Sequence, residues 1–433
     1  MSRNISVAII AVAVSMAGLL QAKAQNNSTE SPYTRFGYGR LGDRAVNAAR
    51  GMGGIGIGVR DGMVTNPMNP ASYSAVDSLT FIFDVAASFG FGWYSEGGKD
   101  TNRKLGNFEY ATMLFPVSKH VGISAGIMPF SYAGYQFGSL EKLPGGEKES
   151  YTRLYSGNGN INDLYLGVGA SLFKGFSLGV NASFLFGNIS HDRKVLYSTP
   201  APLNPIFNDE LRIKGFKMDV GAQYSMVMGE KEDRKLTIGA TYSPSFNLNS
   251  RLVNITTFVN SSSTGGRITV VENDTIKSSN MYNLPHSFGL GASYSIENKL
   301  LLGADVQYSR WKEVKFAPGK QNVFQDRLKV AMGAEIIPDH NDRSLFKQTR
   351  YRFGVNAENS YLKVPVGNDF KGYYKVGASV GLGIPIVDRR SMLNLTVSYD
   401  RLIPPKNAIV ERCLMFTLGL TFNESWFRKI TVD

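Results

Sequence analysis

The chain has 433 residues, 43% of them hydrophobic, and a formal net charge of +12 at pH 7. That hydrophobic share excludes a helical membrane protein of several spans; a membrane-crossing β-barrel, which needs an apolar residue only at every second position, stays compatible with it. The Lys and Arg residues are spread along the chain, which argues against a nucleic-acid partner and fits basic side chains facing a phosphate-rich lipid leaflet.

The first 24 residues read as an export signal. Arg3 gives a positive start, residues 5–20 are apolar, and Ala22-Lys23-Ala24 supplies an A-x-A cleavage pattern before Gln25. The only cysteine, Cys413, is far from the cleavage site, so a lipid anchor there is disfavoured and an internal disulfide is impossible.

Residues 25–78 do not alternate. They carry Gly51, Gly53, Gly54, Gly56 and Gly58, followed by Asn66-Pro67-Met68-Asn69-Pro70-Ala71-Ser72, and read as a compact irregular plug. The string Gly51-Met52-Gly53-Gly54-Ile55-Gly56 matches G-x-G-x-x-G, but no strand precedes it and an exported chain meets no cytosolic dinucleotide.

From residue 79 onward the side-chain period is two. Leu290, Ala292, Tyr294 and Ile296 alternate with Gly289, Gly291, Ser293 and Ser295, and Phe216, Met218, Val220 and Ala222 alternate with Lys217, Asp219, Gly221 and Gln223. Such segments predict strands at 79–94, 104–115, 120–137, 161–173, 176–188, 211–226, 236–249, 285–296, 300–311, 325–337, 351–362, 372–382, 392–402 and 413–423. Many exceed the roughly 9–11 residues a tilted strand needs to cross a bilayer, and aromatics such as Trp93, Tyr94, Tyr308, Trp311, Tyr399 and Phe422 stand at their ends. The expectation is an all-β, transmembrane antiparallel barrel of about 14 strands in the bacterial outer membrane, with residues 79–433 forming the wall and residues 25–78 in its lumen. Short connections, such as 174–175 and 297–299, should be periplasmic turns; 139–160, 189–210, 251–283 and 317–324 should be extracellular loops. Lys217, Asp219, Asp305 and Gln307 should face the lumen, either toward a solute or as hydrogen-bond partners of the plug.

Little else suggests chemistry. Gly122-Ile123-Ser124-Ala125-Gly126 matches G-x-S-x-G but lies inside an alternating strand, away from any strand-to-helix elbow. His120, His191, His286 and His340 stand singly, without metal-ligand spacing, and read as solvated surface residues. No catalytic triad is visible, and no enzyme activity, cofactor or metal is expected.

Three places resemble the outer-membrane long-chain fatty acid transporter family, the FadL type. Asn69-Pro70-Ala71, behind Gly53 and Gly54, is similar to the signature of that family's N-terminal hatch. Leu284-Pro285-His286-Ser287-Phe288-Gly289-Leu290-Gly291, leading into 299–311, resembles its paired strands, and Met128-Pro129-Phe130 resembles its kinked third strand. The resemblance implies passive uptake of a hydrophobic, fatty acid-like molecule, which leaves sideways into outer-membrane lipid through a gap at Pro129 and Phe130, with Gly126 and Gly134 close by. Pro129 itself cannot donate to a ladder, so it marks such a gap or only a bulge at the rim. The alternative is a protein-binding barrel of the same type that serves a secreted or periplasmic partner. Two features depart from the family: the chain runs past Phe422 to Asp433, and its inward faces are rich in Gly, Ser and charge.

Overall fold

The structure, a computed structural model, describes residues 29–142, 150–197, 204–229, 233–259, 268–316, 323–366, 369–387, 390–406 and 408–425. The expected export signal and the tail beyond Ser425 lie outside the described residues.

Seventeen strands make one antiparallel sheet: β1 (Arg40–Leu41), β2 (Thr80–Glu96), β3 (Lys99–Ser118), β4 (Val121–Lys142), β5 (Ser150–Phe173), β6 (Phe176–Tyr197), β7 (Asn204–Met228), β8 (Arg234–Ser243), β9 (Asn247–Val259), β10 (Ile268–Asn283), β11 (Ser287–Ile296), β12 (Leu300–Ser309), β13 (Arg327–Ile336), β14 (Arg350–Val366), β15 (Asp369–Val387), β16 (Ser391–Ile403) and β17 (Val410–Ser425). Proline divides two crossings. Pro244 separates β8 from β9 and Pro285 separates β10 from β11; β7 pairs with both β8 and β9, β8 with β11, and β9 with β10. Counted as crossings, the wall is therefore a closed barrel of fourteen strands, and β17 returns to β2 from Val410↔Ser95 to Ser425↔Thr80. Closure follows from the solvent, since an open edge in hydrocarbon would leave backbone groups unpaired at several kcal/mol each. Among the described residues no helix is long and apolar enough to cross a membrane.

The two faces of the wall are chemically opposite. Phe89 (59% exposed), Leu290 (65%), Leu166 and Phe353 point outward, while Asp84, Thr112, Asn181, Ser293 and Thr417 are buried within. An outer surface this apolar is stable only in a bilayer, and with the barrel it places the protein in the bacterial outer membrane. Leu290→Arg is expected to cost about 2–4 kcal/mol in a lipid-refolding titration. Arg212→Leu, higher on the wall, should change the same titration by less than about 0.5 kcal/mol.

Over their described residues, the expected extracellular loops at 139–160, 189–210 and 251–283 are mostly strand. β4 to β7, with β9 and β10, continue well beyond a bilayer's height as one tall sheet. Its amphipathicity is inverted there. On β7, Leu211 and Ile213 face inward and are buried, Arg212 and Lys214 face outward, and from Phe216 (70% exposed) downward the apolar residues face outward instead. Ile161, Leu185, Ile189 and Leu248 join Leu211 and Ile213 in an apolar core above the membrane. Trp311, expected in an aromatic girdle, belongs to this core: it is 2% exposed and packs 4.4 Å from the ring of Tyr361.

Candidate functional site

Residues 29–78 pack against inward-facing positions all round the wall. At Gly354 a Cβ would collide with the backbone of Met52 and Gly53, and at Gly179 with the backbone of Pro70, so the small inward residues are where this segment lies against the strands. Gly53 and Gly54 adopt positive φ (72° and 84°), which a side chain would disfavour. The Gly53 N–H donates to Ser379 Oγ at 3.0 Å, and that hydroxyl donates to the Gly51 carbonyl at 3.2 Å.

Asn69, Pro70 and Ala71 begin a 3-10 turn, Pro70–Ala75. Asn69 caps it by accepting from the Ala71 N–H at 3.2 Å, and its amide donates to the carbonyls of Ile57 (2.8 Å) and Ala222 (3.2 Å). Asp305 faces the lumen and accepts the N–H groups of Gly56, Ile57 and Gly58 at 2.6, 2.8 and 3.4 Å. These bonds tie β12 to residues 56–58.

Charge fixes the rest of the segment. Arg44 contacts Asp219 and lies 3.5 Å from Asp163, while Lys217 donates to Asp219 at 2.6 Å. Asp43 pairs with Lys329 at 2.7 Å, Arg50 with Glu109 at 2.7 Å, and Asp61 with Arg350 at 3.5 Å. Enclosure in the lumen opposes ionisation of Asp43, but Lys329 and Arg50 outweigh it and hold the carboxyl at about 2. For Arg44 and Arg50, burial again works against the charge, yet the facing carboxylates raise both pKa values above the ordinary guanidinium range. Asp43, Arg44 and Arg50 escape a reading by periodicity because their segment has no period.

Among the described residues the wall is interrupted twice. Between β3 and β4 the ladder ends at Ala111↔Ile127; Gly126 still pairs with Thr112, and a bulge follows between Pro129 and Ser131. Beyond the kink, the free edge of β4 is taken by the protein's own N-terminal segment. Arg40 and Leu41 pair with Tyr132 and Ser131, the Gly42 N–H donates to the Phe130 carbonyl at 2.8 Å, and Thr34 Oγ1 bonds both the N–H and the carbonyl of Gly134. Register then carries Pro129 to Asn162, Asn162 to Phe186 and Phe186 to Lys214, where the second interruption begins. There the β7 residues between Lys214 and Val220 have no ladder partner on the side of Pro244–Phe246.

A cavity of about 160 Å³ lies between the two interruptions. Pro129 and Phe130 bound it on one side, Pro244, Leu284, Pro285 and Phe288 on the other, and Asp43, Arg44, Lys217 and Gln307 add polar wall. Among the described residues no cluster of His, Cys, Asp or Glu could hold a metal ion. Of the histidines, His191 and His286 are engaged by Tyr135 (2.6 Å) and Tyr242 (3.0 Å) and are not simply solvated.

A closed fourteen-strand outer-membrane barrel whose third wall strand is kinked has the fold of FadL-type structures, and solved structures show that likeness. The chain is similar to the toluene transporter TodX of P. putida (TM-score 0.60, 12% identity, 91% of this chain and 100% of that one). It is similar as well to a Pseudomonas aeruginosa FadL homologue (0.59, 11%, 90% and 100%) and to the toluene transporter TbuX of Ralstonia pickettii (0.56, 13%, 89% and 99%). No curated protein matches the chain. The BamG family model matches residues 1–433, and the chain belongs to the BamG family.

Proposed function

We propose that this barrel takes up a small hydrophobic molecule from outside and delivers it sideways into the outer membrane. One observation carries the reading: the lumen's cavity lies where the wall ladder is interrupted, while residues 45–78 occupy the space below it. Lateral delivery spares a greasy solute the cost of water, about 0.8 kcal/mol per methylene. Toluene transport by TodX and TbuX, whose fold this chain shares, accords with it. The test is uptake of toluene by cells with and without the protein. Uptake several-fold faster with it is expected, and the gain should disappear in Ser287→Trp, which fills the cavity. Equal rates would remove the reading.

A second reading, a protein-binding barrel serving a secreted or periplasmic partner, has its own support. The β4 edge accepts a strand from the N-terminal segment, and six strands extend beyond the membrane, so the fold offers backbone edges and surface for a polypeptide. Cross-linking in intact outer membranes that returns no stoichiometric protein would dispose of it.

A further inference from the structure

Of the two interruptions, the one at Pro129 is occupied: β1, Gly42 and Thr34 lie along the exposed edge of β4. The other is not closed by any ladder. Lys214 pairs with Asn249 and Val220 with Tyr242, leaving five β7 residues opposite the Pro244–Phe246 linker. This stretch lies where the wall changes from apolar-in to apolar-out, at the level of the outer-leaflet interface, and Phe288, which bounds the cavity, is also 45% exposed on the outer face.

The cavity itself sets the size and polarity of an occupant. At about 160 Å³ it is close to the engineered apolar cavity of about 150 Å³ that takes benzene. It has no room for a long acyl chain. Its charges are matched in sign, Arg44 with Asp163 and Asp219, Lys217 with Asp219, Lys329 with Asp43, and Arg327 with Glu358, although Arg44, Asp163 and the Trp311 Nε1 keep buried polar atoms without a hydrogen-bond partner. Gln307, by contrast, lines the cavity with no side-chain hydrogen bond among the described residues. A neutral polar group is what this amide would meet.

Resting on the uptake reading, we propose that the cavity binds a molecule of about one aromatic ring carrying a neutral hydroxyl, held by Gln307, and that it exchanges with the bilayer between β7 and Pro244 instead of at Pro129. The hydroxyl meets the Gln307 amide, and the ring lies among Phe130, Leu284, Phe288 and Trp311. A long acyl chain exceeds this volume, so palmitate is not expected to bind.

Purified protein in detergent gives the test, because Trp311 lines the cavity and reports on its contents. Benzyl alcohol should quench Trp311 emission, bind several-fold more tightly than toluene, and lose that advantage in Gln307→Leu; palmitate should not compete. Trp311→Phe removes the signal and serves as the blank. Two disulfide staples, in a Cys413→Ser background with oxidation followed on gels, address the route. Gly215→Cys with Leu248→Cys ties β7 to β9, since a Cβ at Gly215 would lie 3.4 Å from Leu248 Cα. It should slow association at least tenfold, and reduction should restore the rate. Leu41→Cys with Ser131→Cys, register partners in β1 and β4, should leave it unchanged. Slowing by the second staple alone, palmitate binding, or no benzyl alcohol signal because only water enters would each overturn the inference. Binding that behaves as expected while cells show no added uptake would instead overturn the transport reading and leave the cavity assignment standing.

Discussion

Asp305→Ala is expected to detach the middle of the N-terminal segment while leaving the barrel closed. The carboxylate is 2% exposed and accepts three consecutive backbone N–H groups, those of Gly56, Ile57 and Gly58. Alanine would leave all three without an acceptor in a space packed against Gly291, where water has little room. Each buried donor left unsatisfied costs about 1–3 kcal/mol, so the segment should lose about 3 kcal/mol or more of anchoring. Hydrogen exchange at those three amides is the direct measurement: they should exchange at least a hundredfold faster in Asp305→Ala, with strand amides on β12 and β13 unchanged. Asp305→Asn keeps one acceptor oxygen and should fall between. Equal protection of the three amides in wild type and Asp305→Ala would show that Asp305 does not anchor the segment.

The lipid-facing wall was legible because hydrocarbon imposes a strict period of two, and each of the fourteen predicted segments overlaps one crossing. The tall extension was not, for a reason visible on β7. Leu211 and Ile213 keep odd positions apolar, Gly215 is neutral, and Phe216, Met218 and Val220 keep even positions apolar, so the pattern changes phase without any break in the chain. The predicted strand at 211–226 crosses this point but stops at Leu211, whereas β7 begins at Asn204; the strand continues upward because the solvent outside changes from lipid to water. The divided crossings were hidden differently. Pro244 fell within a predicted strand and Pro285 at the start of another, and proline's missing donor was the signal that each ladder breaks. Within the site, periodicity placed Lys217, Asp219 and Asp305 on the lumen face, but their partners Arg44 and Gly56–Gly58 lie in an aperiodic segment and only the folded chain brings them together.

Arg44→Ala should be the most damaging single change in the lumen. Arg44 stands between Asp219 and Asp163, which is 1% exposed, and its removal leaves two neighbouring carboxylates with, among the described residues, Lys217 as the one cation still in contact. An uncompensated buried charge typically costs about 3–5 kcal/mol, more than the ion pair itself contributes over an apolar replacement. Two outcomes separate that electrostatic cause from lost packing. Arg44→Met, which restores side-chain volume but no charge, should be nearly as destabilised as Arg44→Ala in a thermal melt. Adding Asp163→Asn to Arg44→Met should recover about half of the loss, because the repulsion disappears with the second carboxylate. Arg44→Lys should lie in between, since one ammonium cannot bridge two acceptors as a guanidinium fork does. If Arg44→Met instead melts with the wild type, Arg44 serves as filling volume, and the three acidic and basic partners at this end of the cavity do not hold the segment by charge.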